Sequence, residues 1–244
     1  MTKHPRLSPI SILVLATSLA LASASAFAGN HYKGDYSAEQ YSSALTLKDG
    51  FYIGAQLGYD SFRFNSNNSA VLLGVPASVN ITSNATGFVG GILGGYGMYF
   101  NNLYYLGAEM FFNNSGANQS SNASIGSLNY TEKTAAGFGY GISILPGLKV
   151  SNTALLYLRL GYNGAYLQAN ERASTSTASV YTGNNWNWQN GFNYGLGLEA
   201  AVYQNLSVRT ELSHTDYNSI NDSFNTSFNP SNNQLMFSII YHAD

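Results

Sequence analysis

The chain of 244 residues carries 10 basic and 12 acidic residues, no cysteine, and a charged fraction of only 9%. So few charges, slightly acidic in balance and without a basic run, exclude a nucleic-acid-binding footprint. The lack of cysteine excludes disulfides, thiol chemistry and cysteine-based metal sites. Tyr, Phe, Gly, Asn and Ser dominate instead, a composition of strands joined by wet loops.

Residues 1–28 read as a secretory signal peptide. Lys3 and Arg6 supply the positive start, Ile10 to Ala22 the apolar core, and the small residues Ala26 and Ala28 the cleavage positions. Removing these residues leaves 216, with eight basic residues against 12 acidic ones, a net charge of −4. That length suits one domain. Residues 29–49, GNHYKGDYSAEQYSSALTLKD, then read as a mobile N-terminal tail on the periplasmic side, with a short plug or a contact with a periplasmic partner as the alternative.

From residue 50 onward, period-two patterning gives eight segments of roughly 9–14 residues, a length that suits tilted membrane strands. They cover 50–64, 86–100, 103–113, 132–145, 154–168, 191–203, 205–215 and 233–243. The connections alternate in length. Asn101-Asn102, Pro146 to Thr153 and Gln204 are short. The stretches 65–85, 114–131, 169–190 and 216–233 are long and polar. Short turns at one end and long loops at the other are the layout of bacterial outer-membrane barrels. Residues 50–244 are therefore expected to form an all-β, eight-stranded antiparallel transmembrane barrel, with short periplasmic turns and four long extracellular loops.

The faces of the segments carry the same expectation. Phe51, Ile53, Ala55, Leu57 and Tyr59 oppose Tyr52, Gly54, Gln56 and Gly58. Leu156, Leu158, Leu160 and Tyr162 oppose Tyr157, Arg159, Gly161 and Asn163. One face is apolar without a break, and the other mixes glycine with isolated charges. The charges are too few to coat an exterior, so lipid belongs outside and a polar, filled lumen inside.

Within LYYLGAEMFF, this parity places Glu109 in the lumen with Tyr105 and Phe111. A buried carboxylate needs partners. Arg159 and Arg209, with Glu199 and Glu211, stand on the same kind of face, and the planar guanidinium suits enclosed pairs.

The stretches FYIGAQLGY, GGYGMYFNNLYYLGAEM, LYLRLGY, GLGLEAAVYQNLSVRTELS and QLMFSIIYHAD together resemble the transmembrane domain of the OmpA family. The resemblance spans about residues 50–244 in order. It implies that Glu109, Arg159, Glu199 and Arg209 match family lumen residues, while Gln56 stands where the family often has a lysine. The family's barrels end on an aromatic residue read by the insertion machinery. Here Ala243 and Asp244 follow Tyr241, so that recognition would rest on Phe237, Ile239 and Tyr241.

Three functions compete. A surface-exposed structural or binding barrel would work through its loops, with Trp186 and Trp188 either as contact residues or as anchors at the rim. Its partners would be outer-membrane lipid, lipopolysaccharide, the insertion machinery and a host or extracellular ligand. A narrow or gated small-solute porin is the alternative, although eight strands leave an interior that side chains just fill. An outer-membrane lipid A hydrolase or rim protease ranks third. It would need His214 near Ser213 and Asp216, yet adjacent strand residues face opposite ways. GFGYG at 137–141 lacks a βαβ context, and the scattered acids lack calcium-loop spacing, so neither a cofactor nor a metal is expected.

Overall fold

The computed structural model describes residues 45–72, 75–125, 128–175, 179–221 and 227–243. The signal peptide and tail residues 29–44 lie outside the described residues. Ten strand segments follow in chain order: β1 (Gly50–Leu72), β2 (Val75–Phe100), β3 (Tyr104–Ser115), β4 (Asn118–Ile125), β5 (Leu128–Lys149), β6 (Ala154–Thr175), β7 (Ser179–Tyr203), β8 (Leu206–Tyr217), β9 (Ile220–Asn221) and β10 (Ser227–His242).

All pairings are antiparallel, and β1 pairs with both β2 and β10, which closes the sheet. β4 continues the stave begun by β3, and β9 forms a short hairpin with the start of β10, so the barrel has eight staves. Around the closed girdle each stave pairs on both sides, so its ladder groups are satisfied internally, the condition for crossing lipid with strands.

The side chains alternate as the period predicts. Along β3, Tyr104, Leu106, Met110 and Phe112 are exposed while Tyr105, Glu109 and Phe111 are buried. Phe51, Ile53, Leu57, Phe88, Ile92, Ile142 and Ile239 are each more than 60% exposed. A continuous band of large apolar side chains around a closed sheet is a lipid-facing surface, not a soluble one. Aromatic contacts border it. Phe51 meets Tyr96 edge-on at 4.9 Å near the short-turn end, and Tyr59 meets Phe88 at 5.9 Å near the other.

The strands run further than the sequence pattern indicates. β1 and β2 stay in register from Asn65↔Thr82 to Leu72↔Val75, and β5 and β6 stay paired out to Leu128↔Thr175. Stretches 65–85, 114–131 and 169–190 are thus largely paired strand rather than loop. Their β-formers, such as Val71, Val79, Ile81, Tyr130, Val180 and Tyr181, prolong the ladder. The polar residues interspersed among them erase the alternation by which a half-buried strand is recognised. At the short-turn end, β5 likewise continues through Pro146 to Lys149, leaving only Val150 to Thr153 as the turn.

The turn between β2 and β3 is tight. Asn101 and Asn102 have φ of 52° and 55°, and Leu103 N–H donates to Phe100 O at 3.1 Å. Positive φ at both central positions is type I′ geometry, which asparagine tolerates and β-branched residues do not. Asn101→Val is therefore expected to cost about 1–2 kcal/mol of unfolding free energy, read from urea titration of the folded barrel.

Candidate functional site

Among the described residues, side chains fill the lumen at three levels. Five residues ahead of β1 are described, and Leu47 among them is buried at the short-turn mouth. Leu47 packs against Tyr105, Leu145, Leu155 and Tyr157, and its N–H donates to Asn152 O at 3.1 Å. Lys48 Nζ donates to Asn205 Oδ1 at 2.9 Å, and Asp49 Oδ1 accepts Tyr99 N–H at 2.7 Å.

Above this layer lie the sequence-predicted charges, brought together from four staves. Glu109 on β3 sits between two guanidiniums, Arg159 Nη2 on its Oε1 and Arg209 Nη1 on its Oε2, with its side chain fully enclosed. Arg159 also donates through Nη1 to Ser143 Oγ at 3.0 Å, and its Nε stands 2.7 Å from Glu211 Oε1. Arg209 reaches Glu199 Oε2 with Nη2 at 2.8 Å and Nε at 3.1 Å. Glu109, Arg159, Arg209, Glu199 and Glu211 thus form one connected chain. Tyrosines complete it. Tyr52 donates to Glu109 Oε2 at 3.0 Å and Tyr157 to Glu211 Oε2 at 2.7 Å, and the Arg209 guanidinium lies 5.0 Å from the Tyr157 ring centre.

Lumen glycines explain how these rings fit. An ideal Cβ on Gly95 would stand 2.5 Å from Tyr52 Cζ, and one on Gly197 would strike the Tyr157 ring. The rings lie flat where neighbouring staves carry no side chain. Gln56, at the position read as a missing lysine, donates instead to Asn113 Oδ1 at 2.5 Å.

Some lumen residues were not singled out by sequence. His242 Nε2 is 3.0 Å from both Glu199 Oε1 and Ser207 Oγ, and Ser207 donates to Glu199 at 2.5 Å. The trio has the residue types of a hydrolytic triad but not its order. One imidazole nitrogen meets both partners, and Nδ1 has no hydrogen-bond partner. Asp60, 1% exposed, was missed as well, although the parity through Gln56 and Gly58 points to it. At the outer end the lumen turns apolar, with Phe62, Phe64, Ala85, Ala117, Ala136, Ala165 and Leu167 packed together and Tyr217 against them.

The outward-facing residues fall elsewhere. Trp188 lies within β7, not in a loop, 51% exposed, with its ring centre 5.5 Å from that of Tyr140 and 5.3 Å from that of Tyr166. Trp186 shares that strand, paired with Gln168, and its side chain lies outside the described residues. His214 faces outward, held by Asn233 Oδ1 at 2.8 Å and Asp216 Oδ1 at 3.1 Å, whereas Ser213 is buried on the lumen side.

With this geometry in place, the family can be stated. The family model described as outer membrane protein beta-barrel domain matches residues 12–242. The chain belongs to that family. It is a bacterial outer-membrane protein, as the lipid-facing band requires. Similar solved barrels include Ail, the attachment invasion locus protein of Yersinia pestis, at 13% identity and a TM-score of 0.39, covering 79% of this chain and 99% of Ail. Neisserial surface protein A follows at 15% identity and 0.42, covering 80% and 97%. The outer membrane protease OmpT from Escherichia coli stands at 10% identity and 0.46, covering 80% and 98%. Likeness at these levels carries no functional argument. A search of curated proteins finds no match.

Proposed function

We propose that this outer-membrane protein is a surface-exposed structural and binding barrel, adhesin-like, with a lumen that is a closed and charge-paired plug of the OmpA kind. The observation that carries the reading is closure at three levels. Leu47 and its neighbours fill the short-turn mouth, the Glu–Arg chain fills the middle, and the Phe62–Phe64 cluster fills the outer end. Such a lumen leaves the extended hairpins beyond the lipid band as the part that meets the outside. Paired strands hold their polar side chains at fixed spacing, which lowers the ordering cost of binding.

Its partners are lipopolysaccharide around the wall and a host or extracellular ligand at the hairpins. The reading holds that the protein is not an enzyme. Ser213 and His214 lie on opposite faces, and Ser207 and Glu199 share one nitrogen of His242. Trp188, packed at a tilt between the wall tyrosines Tyr140 and Tyr166, acts here as an interfacial anchor.

The test is adhesion of cells expressing the protein, with hairpin tips replaced one at a time by short Gly-Ser turns. Loss of binding with one replacement, in barrels still folded, supports the reading. Retained binding in all four removes it. The alternative, a narrow porin, predicts stable currents in planar bilayers, where the closed plug predicts silence.

A further inference from the structure

Basic side chains are scarce in this chain, and their positions sort by depth. Of those whose side chains are described, Arg159 and Arg209 are buried in the lumen network, and Lys48 and Lys149 stand at the short-turn mouth beside Asn205 and the Tyr99 ring. The remaining two, Arg63 on β1 and Lys133 on β5, are exposed on the outside of the wall. Parity puts them there, because Phe62, Phe64 and Thr134 beside them are buried on the lumen side. Both lie beyond the lipid band. Arg63 stands four residues past Tyr59 and Lys133 five past Phe138, the outward aromatics that border the band on those strands. At the rise and tilt of a barrel strand, their backbones are roughly 10–13 Å above that border. The long stems of arginine and lysine reach back from there toward the headgroups.

The two cations share one row of the ladder. Arg63 pairs with Asn84 on β2, Thr86 pairs with Asn118 on β4, and Ser120, two residues further along β4, pairs with Lys133 on β5. Three strand spacings separate them, about 14 Å in total. Asn84, Thr86, Asn118 and Ser120 are all exposed and cover the ground between with neutral amides and hydroxyls. Among the described residues no carboxylate stands in this row, and neither Arg63 nor Lys133 has an ion-pair or hydrogen-bond partner. On the other side of Arg63, Asp216 lies two staves away through Ser231. It is held there by His214 Nε2 at 3.1 Å and the Tyr194 hydroxyl at 3.4 Å.

We propose that the row from Arg63 to Lys133 binds the phosphorylated sugar headgroup of lipopolysaccharide in the outer leaflet. This deepens the lipopolysaccharide partnership proposed above and rests on the outer-membrane location. The row continues the lipid-facing band upward, so what covers it is the headgroup layer of the same lipid. Its charge complements that layer. Two fixed cations without an anion of their own accept phosphates, Arg63 through the two-bond fork of its guanidinium and Lys133 as a point charge. They stand too far apart to share one phosphate, so they take two, while the amides and hydroxyls between them meet the sugar. A glycerophospholipid, with one phosphate and no sugar, engages only one cation at a time.

The test uses the full chain refolded in detergent micelles, with a trace of dye-labelled deep-rough lipopolysaccharide whose anisotropy reports binding. The wild-type barrel should half-saturate the lipid at a concentration that rises with salt. Arg63→Gln and Lys133→Gln should each raise that concentration about five-fold. The double variant should raise it further, to the value found with lipopolysaccharide stripped of its phosphates. Both side chains are exposed and unpaired among the described residues, so the variants should fold, which heat-dependent gel mobility checks. Phosphatidylglycerol should displace little of the bound lipid. Unchanged affinity in the double variant would overturn the proposal and leave two solvated cations. Displacement by phosphatidylglycerol at equal concentration would overturn it too, since that marks charge without a site. Failure here leaves the adhesin reading standing, because no host ligand is present, and failure of adhesion leaves this site standing.

Discussion

Arg209→Met is expected to lower the free energy of unfolding by about 3–5 kcal/mol. The size follows from what the substitution leaves behind. Arg209 is the link between Glu109 and Glu199, donating to both from a side chain only 1% exposed. Without it Glu199 keeps Ser207 and His242, and Glu109 keeps Arg159 and Tyr52, so two carboxylates remain enclosed with one guanidinium lost. The intact network need not stabilise the barrel much over an apolar filling, because desolvating five charges offsets most of their attraction. Breaking it is a different matter. Arg209→Lys restores charge but not the fork that reaches two carboxylates, and should recover only part of the loss. Urea unfolding in lipid vesicles, followed by the fluorescence of the two tryptophans, reads the difference. A loss below about 1 kcal/mol would place the network in water. A combined Arg209→Met and Glu199→Gln variant should be less destabilised than the sum of its parts, since each change removes the charge that the other exposes.

The middle of the barrel was legible in the sequence because one rule governs it. Lipid outside demands apolar residues at every second position, so Glu109, Arg159, Glu199, Arg209 and Glu211 fall in the lumen by parity alone. Their connection into one chain follows from burial, which leaves no unpaired charge an alternative. Where the rule lapses, the reading failed. Beyond the lipid band neither face of β1, β2, β5 or β6 has to be apolar, so paired strands such as Asn65 to Leu72 looked like loops. Trp186 and Trp188 then passed for loop residues, although they belong to β7. Leu47 was illegible for another reason. It makes no regular element, and only the mouth left open by Tyr105, Leu145 and Leu155 gives it a place. Asp60 was within reach of the parity rule as well, two residues on from Gly58 on the buried face of β1.

The lipid face admits an equally direct test. Ile142 on β5 is 61% exposed and lies between the outward Leu148 near the short-turn end and Tyr140 and Phe138 toward the outer one. Its side chain therefore stands near the middle of the hydrocarbon band. Ile142→Arg should destabilise the barrel by about 2–4 kcal/mol, because the guanidinium must be carried into hydrocarbon or reach along the wall to the interface. Asn190→Arg, outward on β7 beside the Tyr140 hydroxyl at the rim, should cost only about 0–1 kcal/mol. The contrast between the two positions is what discriminates. A soluble barrel would expose both sites to water, and arginine would be tolerated at each. In lipid the cost has a depth profile, and Ile142 and Asn190 sample its two ends. Unfolding titrations in vesicles of the two variants, side by side, measure that profile. Equal costs would mean that the apolar band does not face lipid at Ile142, and the inside-out reading of the strand faces would fall with it.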